Sequence, residues 1–146
     1  MRYSILLALI SLLIISCNKD KFTTVPQLKY KSANITDVFP GDVLQMKLSF
    51  TDKEGDLDGL IYVQQYSINC TRTKFEDSLA IPKFPSTSNS DGEIVVSYGY
   101  RVPPSLVEPQ CNDVKLDTCF FRFAIKDKAG NRSDTVQSEA IVLHKL

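Results

Sequence analysis

Between residues 43 and 51 apolar and polar side chains alternate without a break. Leu44, Met46, Leu48 and Phe50 fall on one face, and Gln45, Lys47 and Ser49 on the other. A period of two marks an extended strand with one face in a core. Six further segments carry the same signal less cleanly: 28–38, ended by Pro40-Gly41; 60–69, rich in β-branched and aromatic residues; 79–84; 94–102, with Val96, Tyr98 and Tyr100 in line; 119–126, with Phe121, Phe123 and Ile125 in line; and 135–143. Pro, Ser, Thr, Asn and Asp punctuate the gaps, as turns require. No segment after residue 17 sustains a 3.6-residue period, so the pattern predicts no helix there.

Seven short strands at this spacing predict an all-β fold, a seven-stranded antiparallel β-sandwich of immunoglobulin or fibronectin type III type. A small closed barrel is the alternative. The N-terminus departs from this pattern. Arg2 precedes an uncharged, mostly apolar run over residues 3–15, which Ser16 and Cys17 close. A positive residue, an apolar run and a small residue in that order read as a secretory signal. Thirteen residues are too few to cross about 30 Å of hydrocarbon as a helix.

Ile14-Ile15-Ser16-Cys17 resembles the lipobox of bacterial lipoproteins. The resemblance implies acylation of the Cys17 thiol, cleavage before it and acylation of the new amino terminus. Three acyl chains, at about 0.8 kcal/mol per buried methylene, hold far more firmly than a single myristoyl chain. The expected organisation is a signal peptide over 1–16, a lipidated tether over 17–27 and a β-sandwich domain over 28–146. Asn18 stands where an Asp would resemble an inner-membrane retention signal, so outer-membrane attachment is expected, on its periplasmic or its surface face. Asp20 alone is a thin version of the acidic surface-export tag of Bacteroidetes.

Removal of residues 1–16 from 146 leaves 130, the size of one domain. Seventeen basic residues balance seventeen acidic ones, without a basic cluster, which argues against a nucleic-acid partner. The stretch FRFAIKDKAGNRSDTVQSEAIVL, from Phe121 to Leu143, resembles the final hairpin of bacterial immunoglobulin-like domains. Asp117-Thr118, Phe50-Thr51-Asp52 and Gly55-Asp56-Leu57 are similar to small Bacteroidetes lipoproteins, many without an assigned activity. The resemblance covers residues 42–143 and speaks to fold and lineage.

Asp52, Glu54, Asp56 and Asp58 alternate between the second and third expected strands. In a seven-stranded sandwich the loop after the sixth strand lies at the same end, bringing Asp127 and Asn131 toward them. Five carboxylates and an amide there form a candidate calcium site, because calcium takes six to eight oxygen ligands. Turn chemistry is the competing reading, since Asp, Asn and Gly occupy turns for their own backbone bonds. An EF-hand does not fit: with Glu54 first and Gly59 sixth, Gln65 takes the twelfth place. The first strand starts at this end, so the tether leaves from it.

Once Cys17 is used, Cys70, Cys111 and Cys119 remain, expected at the opposite pole. A Cys111–Cys119 disulfide is favoured, with Cys70–Cys119, Cys70–Cys111 and three buried thiols as alternatives. Tyr62, Tyr66, Tyr98 and Tyr100 are either an aromatic platform for a sugar or ordinary packing, which is preferred. Asp77-Ser78-Leu79 and Asp134-Thr135-Val136 resemble the O-glycosylation acceptor of Bacteroidetes exported proteins, at Ser78 and Thr135. Asn34 and Asn131 head N-linked sequons. His144 lacks a nucleophile-elbow partner, and no Gly-rich phosphate loop is present. The expectation is a non-catalytic, lipid-anchored envelope module that binds or organises a protein or glycan. A calcium-dependent adhesion or glycan-binding module and an accessory hydrolase are the alternatives.

Overall fold

The computed structural model describes residues 21–145 other than 73, 84, 86, 106–110 and 112–114. The signal peptide, the lipobox and Cys17 lie outside the described residues. The described residues form nine strand segments and no helix: β1 (Gln27–Ala33), β2 (Asp37–Val38), β3 (Val43–Asp52), β4 (Leu60–Ser67), β5 (Lys74–Ala80), β6 (Ser90–Gly99), β7 (Leu116–Lys126), β8 (Val136–Gln137) and β9 (Ile141–His144). They make two sheets, one ordered β1-β3-β6 and the other β2-β9-β7-β4-β5, with β8 pairing β7. All pairings are antiparallel except that of β2 with β9.

The alternation in β3 is what builds the first sheet's inner face. Leu44, Met46 and Leu48 are fully buried and Phe50 nearly so. From the second sheet Ile61, Val63, Phe121, Phe123, Ile125, Ile141 and Leu143 join the same core. Burying one such side chain contributes about 1.5–3 kcal/mol, so this sandwich-like core dominates the fold's stability. Tyr30 of β1 stacks on Phe123 of β7, with ring centroids 6.2 Å apart, tying the two sheets together.

Two expected strands divide. The segment 28–38 leaves β3 at Asn34, whose Nδ2 donates to Val43 O while its Oδ1 accepts from Gln45 N. A register shift between Tyr30 and Ser32 precedes this exit, and the chain then pairs with β9 in the other sheet as β2. The segment 135–143 divides at Ser138, whose Oγ accepts the Phe121 amide, as Ser133 Oγ accepts that of Ile125. Two serine hydroxyls thus satisfy β7 where its neighbour departs from strand geometry. The fourth strand sits earlier than expected, at Lys74–Ala80, with Ile81-Pro82 after it. As an edge strand it half-buries Phe75, Asp77 and Leu79 and exposes charged residues.

Candidate functional site

The register places the C-terminal ends of β3 and β7 at one pole. Asp52 opposes Ser90 at the end of β3, and Leu60 opposes Lys126 at the end of β7. The chain between β3 and β4 then folds over the turn after β7, where Lys128 N donates to Asp56 O. Gly59 allows this approach, because a Cβ there would stand 1.9 Å from Lys126 O. Gly55 turns the loop with φ +73°, and a Cβ on it would meet Thr87 O at 2.2 Å.

One carboxylate oxygen each from Asp52, Asp56 and Asp127 come together within 4.8 Å of one another. Asp52 is fully buried and Asp127 is 4 % exposed. Two unit charges at that distance repel by about 3–4 kcal/mol at an effective dielectric constant near 20, before any counter-charge. Asp52 is held by its own loop: its Oδ2 accepts the amides of Gly55 at 2.6 Å and Asp56 at 3.1 Å. Asp127 is held by Asn131, which donates its backbone N to Oδ1 and its Nδ2 to Oδ2. The buried Oδ1 atoms of Asp52 and Asp56 have no hydrogen-bond partner. Burial pushes the Asp52 carboxyl above the usual range. The Gly55 and Asp56 amides oppose that rise, and the charges of Asp56 and Glu54 add to it.

Of the five expected carboxylates, three converge. Glu54 is exposed. Asp58 faces the ammonium of Lys128 at 3.8 Å. Asn131 donates its Nδ2 to Asp127 Oδ2 and so positions that carboxylate. Alternation of the four acids along the sequence implies one shared face only while the backbone stays extended, and the turn at Gly55 ends that.

At the opposite pole the disulfide is Cys70–Cys111, with Cα atoms 5.7 Å apart. This replaces the expected Cys111–Cys119 pairing. Cys119 points inward from β7 and is fully buried, so proximity in sequence to Cys111 does not bring the two sulfurs together. Burial first, and the Asp117 charge second, push the Cys119 thiol up to about 12. Asp117 is itself fully buried and accepts a hydrogen bond from Ser67 Oγ, which in turn accepts the Cys70 amide. Burial raises the Asp117 carboxyl above its usual range, against the Ser67 bond.

The four tyrosines do not share a surface. Tyr98 and Tyr100 are buried in the core, whereas Tyr62 and Tyr66 lie half-exposed on β4. Phe120 stacks on Tyr66 at 5.6 Å and Arg122 lies 4.3 Å over it, while Arg132 lies 5.0 Å over Tyr62. The guanidinium groups and Phe120 occupy ring faces that a stacked sugar would need. Tyr66 meets residues of β7 and Tyr62 meets Arg132 beyond it; the period-two register of β4 against β7 is the signal that carries the first of these pairings.

Ser78 and Thr135 are both exposed. Asn34 and Asn131 have their side-chain amides committed within the fold. His144 is bound to Asp37 Oδ1 at 2.9 Å and stacks on Phe39 at 4.0 Å, which makes it part of the β2–β9 edge.

No family model and no curated protein matches this chain. Among solved structures it is similar to the sporulation control protein Spo0M of Bacillus subtilis, at 10% identity and a TM-score of 0.46. That match covers 85% of this chain and 51% of Spo0M. A β-glucosidase of Listeria innocua in complex with gluconolactone aligns at 11% identity and a TM-score of 0.38, over 82% of this chain and 16% of the enzyme. This chain therefore spans about half of the first neighbour and a small part of the second.

Proposed function

We propose that this chain is a non-catalytic, lipid-anchored module of the bacterial cell envelope, a binding or scaffold domain held at the outer membrane through Cys17. The observation that carries this reading is the Ile14-Ile15-Ser16-Cys17 sequence behind a thirteen-residue apolar run. Its neighbourhood supports it. Lys53 N, in the loop after β3, donates to Thr23 O, so the chain entering β1 runs along the carboxylate pole. Three residues lie between Cys17 and Lys21, so the four Cα-to-Cα steps reach at most about 14 Å. The domain on this reading stands close to the membrane with that pole toward it.

The fold reading behind the proposal is an immunoglobulin- or fibronectin type III-like sandwich in a chain that resembles small Bacteroidetes lipoproteins. The order β1-β3-β6 against β9-β7-β4-β5 supports it, since a Greek-key sandwich separates its strands between two sheets in this manner. Detergent phase partition tests the anchoring. The wild-type protein from cell membranes enters the detergent-rich phase, and Cys17→Ala moves it to the aqueous phase. Equal partition of the two proteins would overturn the proposal.

A further inference from the structure

We propose that Asp52, Asp56 and Asp127 form a binding site for one calcium ion, which clamps the β3–β4 loop to the turn after β7. The inference stands apart from the anchoring proposal and does not depend on it. Clustered acids alone would not carry it, because solvated carboxylates crowd many turns. What carries it is the state of the buried oxygens. Asp52 is fully buried, its Oδ2 is taken by two backbone amides, and its Oδ1 meets no donor. Asp56 Oδ1 is likewise buried without a partner. Native proteins leave few buried acceptors unsatisfied, and a cation among the three carboxylates would satisfy both oxygens and offset the repulsion between the charges.

Among the described residues no basic side chain pairs with any of the three acids. Lys128 is directed at Asp58 and is largely exposed. The amides of Gly55 and Asp56 hold the Asp52 carboxylate, and the backbone and side-chain amides of Asn131 hold that of Asp127. Such donors act as outer-shell partners do in metal sites, fixing ligand direction while leaving lone pairs for the ion.

The spacing and chemistry select the ion. Oxygens bound to one calcium at about 2.3–2.6 Å lie no more than about 5 Å apart, and the three acids meet that limit at 4.8 Å. The three side-chain donors are all carboxylate oxygens, which suit a hard cation and offer nothing soft to zinc or copper. Magnesium demands shorter bonds and near-octahedral order, whereas calcium tolerates irregular carboxylate geometry.

Binding would join ligands from two connections that leave different sheets, β3 from one and β7 from the other. The test uses the full chain in detergent, freed of metal with a chelator and titrated with calcium chloride by calorimetry and thermal melting. One calcium per chain is expected. The melting temperature should rise by about 10 °C at free calcium a hundredfold above Kd. Asp56→Asn should weaken binding at least about tenfold, the scale on which altering ligands or their supporting groups affects metal affinity. Glu54→Gln and Asp58→Asn should bind as wild type. Asp56 serves as the variant because its side chain caps no loop amide among the described residues, so its loss tests binding rather than folding. Absence of heat and of any melting shift, or unchanged binding by Asp56→Asn, would overturn the site. An equal response to magnesium would overturn the assignment to calcium.

Discussion

Reduction of the Cys70–Cys111 disulfide should destabilise the domain by about 4 kcal/mol. The bond closes a loop with a sequence separation of 41. In the chain-entropy model a loop of that length removes about 13 cal/mol/K from the unfolded ensemble, which is about 4 kcal/mol at 25 °C. A Cys111–Cys119 bond would close eight residues and contribute only about 2.5 kcal/mol by the same relation. A domain of this size has about 5–15 kcal/mol in total, so the reduced protein should be marginal. Urea unfolding with and without dithiothreitol measures the difference. With a slope near 1.5 kcal/mol/M, the midpoint should fall by roughly 2–3 M on reduction. Cys119→Ala separates the two pairings, because it leaves the Cys70–Cys111 bond and its reduction penalty in place. A tryptic map of the unreduced protein should join peptide 54–72 to peptide 102–115 and leave 116–122 separate. Joining of 102–115 to 116–122, with the penalty lost in Cys119→Ala, would refute the reasoning.

Three further outcomes follow from the same packing. Gly59→Ala should destabilise by at least about 2 kcal/mol in urea unfolding, because its Cβ would lie 1.9 Å from the Lys126 carbonyl oxygen, a backbone atom that cannot swing aside. The Cys119 thiol, pushed up to about 12 by burial and by Asp117, should resist iodoacetamide at pH 8 in the folded protein and react once urea unfolds it. Asp117 should make stability fall with rising pH. Its folded carboxyl keeps a proton above the ordinary 3.8, so folding binds protons between that value and the raised one, and the loss is complete above it. Asp117→Asn keeps an acceptor for Ser67 and should flatten that part of the stability profile; an unchanged slope would contradict the assignment.

Much of the core was legible because β3 alternates over its whole length and β7 buries every second residue from Asp117 to Ile125, and a period of two translates directly into one buried face. What escaped was set by contacts distant in sequence. Nothing local to 28–38 shows that Asn34 will bracket Val43 and Gln45 and hand the chain to β9. Nothing local to 135–143 shows that Ser138 will take the Phe121 amide. The strand Lys74–Ala80 carries too many charges to register as apolar, and it tolerates them because it is an edge.

The carboxylate pole was half legible. Sandwich topology brings Asp127 toward Asp52 and Asp56, but the fate of Glu54 and Asp58 depends on a turn at Gly55 that the acids' spacing does not encode. The tyrosines divide for a related reason. Register alone decides which face of a strand is inward, and it turns Tyr98 into the core, where its hydroxyl reaches Asp77 Oδ2 at 3.0 Å, while Tyr62 and Tyr66 face out.

The central claim is the lipid anchor, and the intact mass of the protein extracted from cell membranes tests it most directly. The account predicts a chain that begins at Cys17, heavier than its amino-acid mass by a diacylglyceryl group and an amide-linked acyl chain. A membrane-extracted chain that begins at another residue, or that carries an unmodified Cys17, would contradict it.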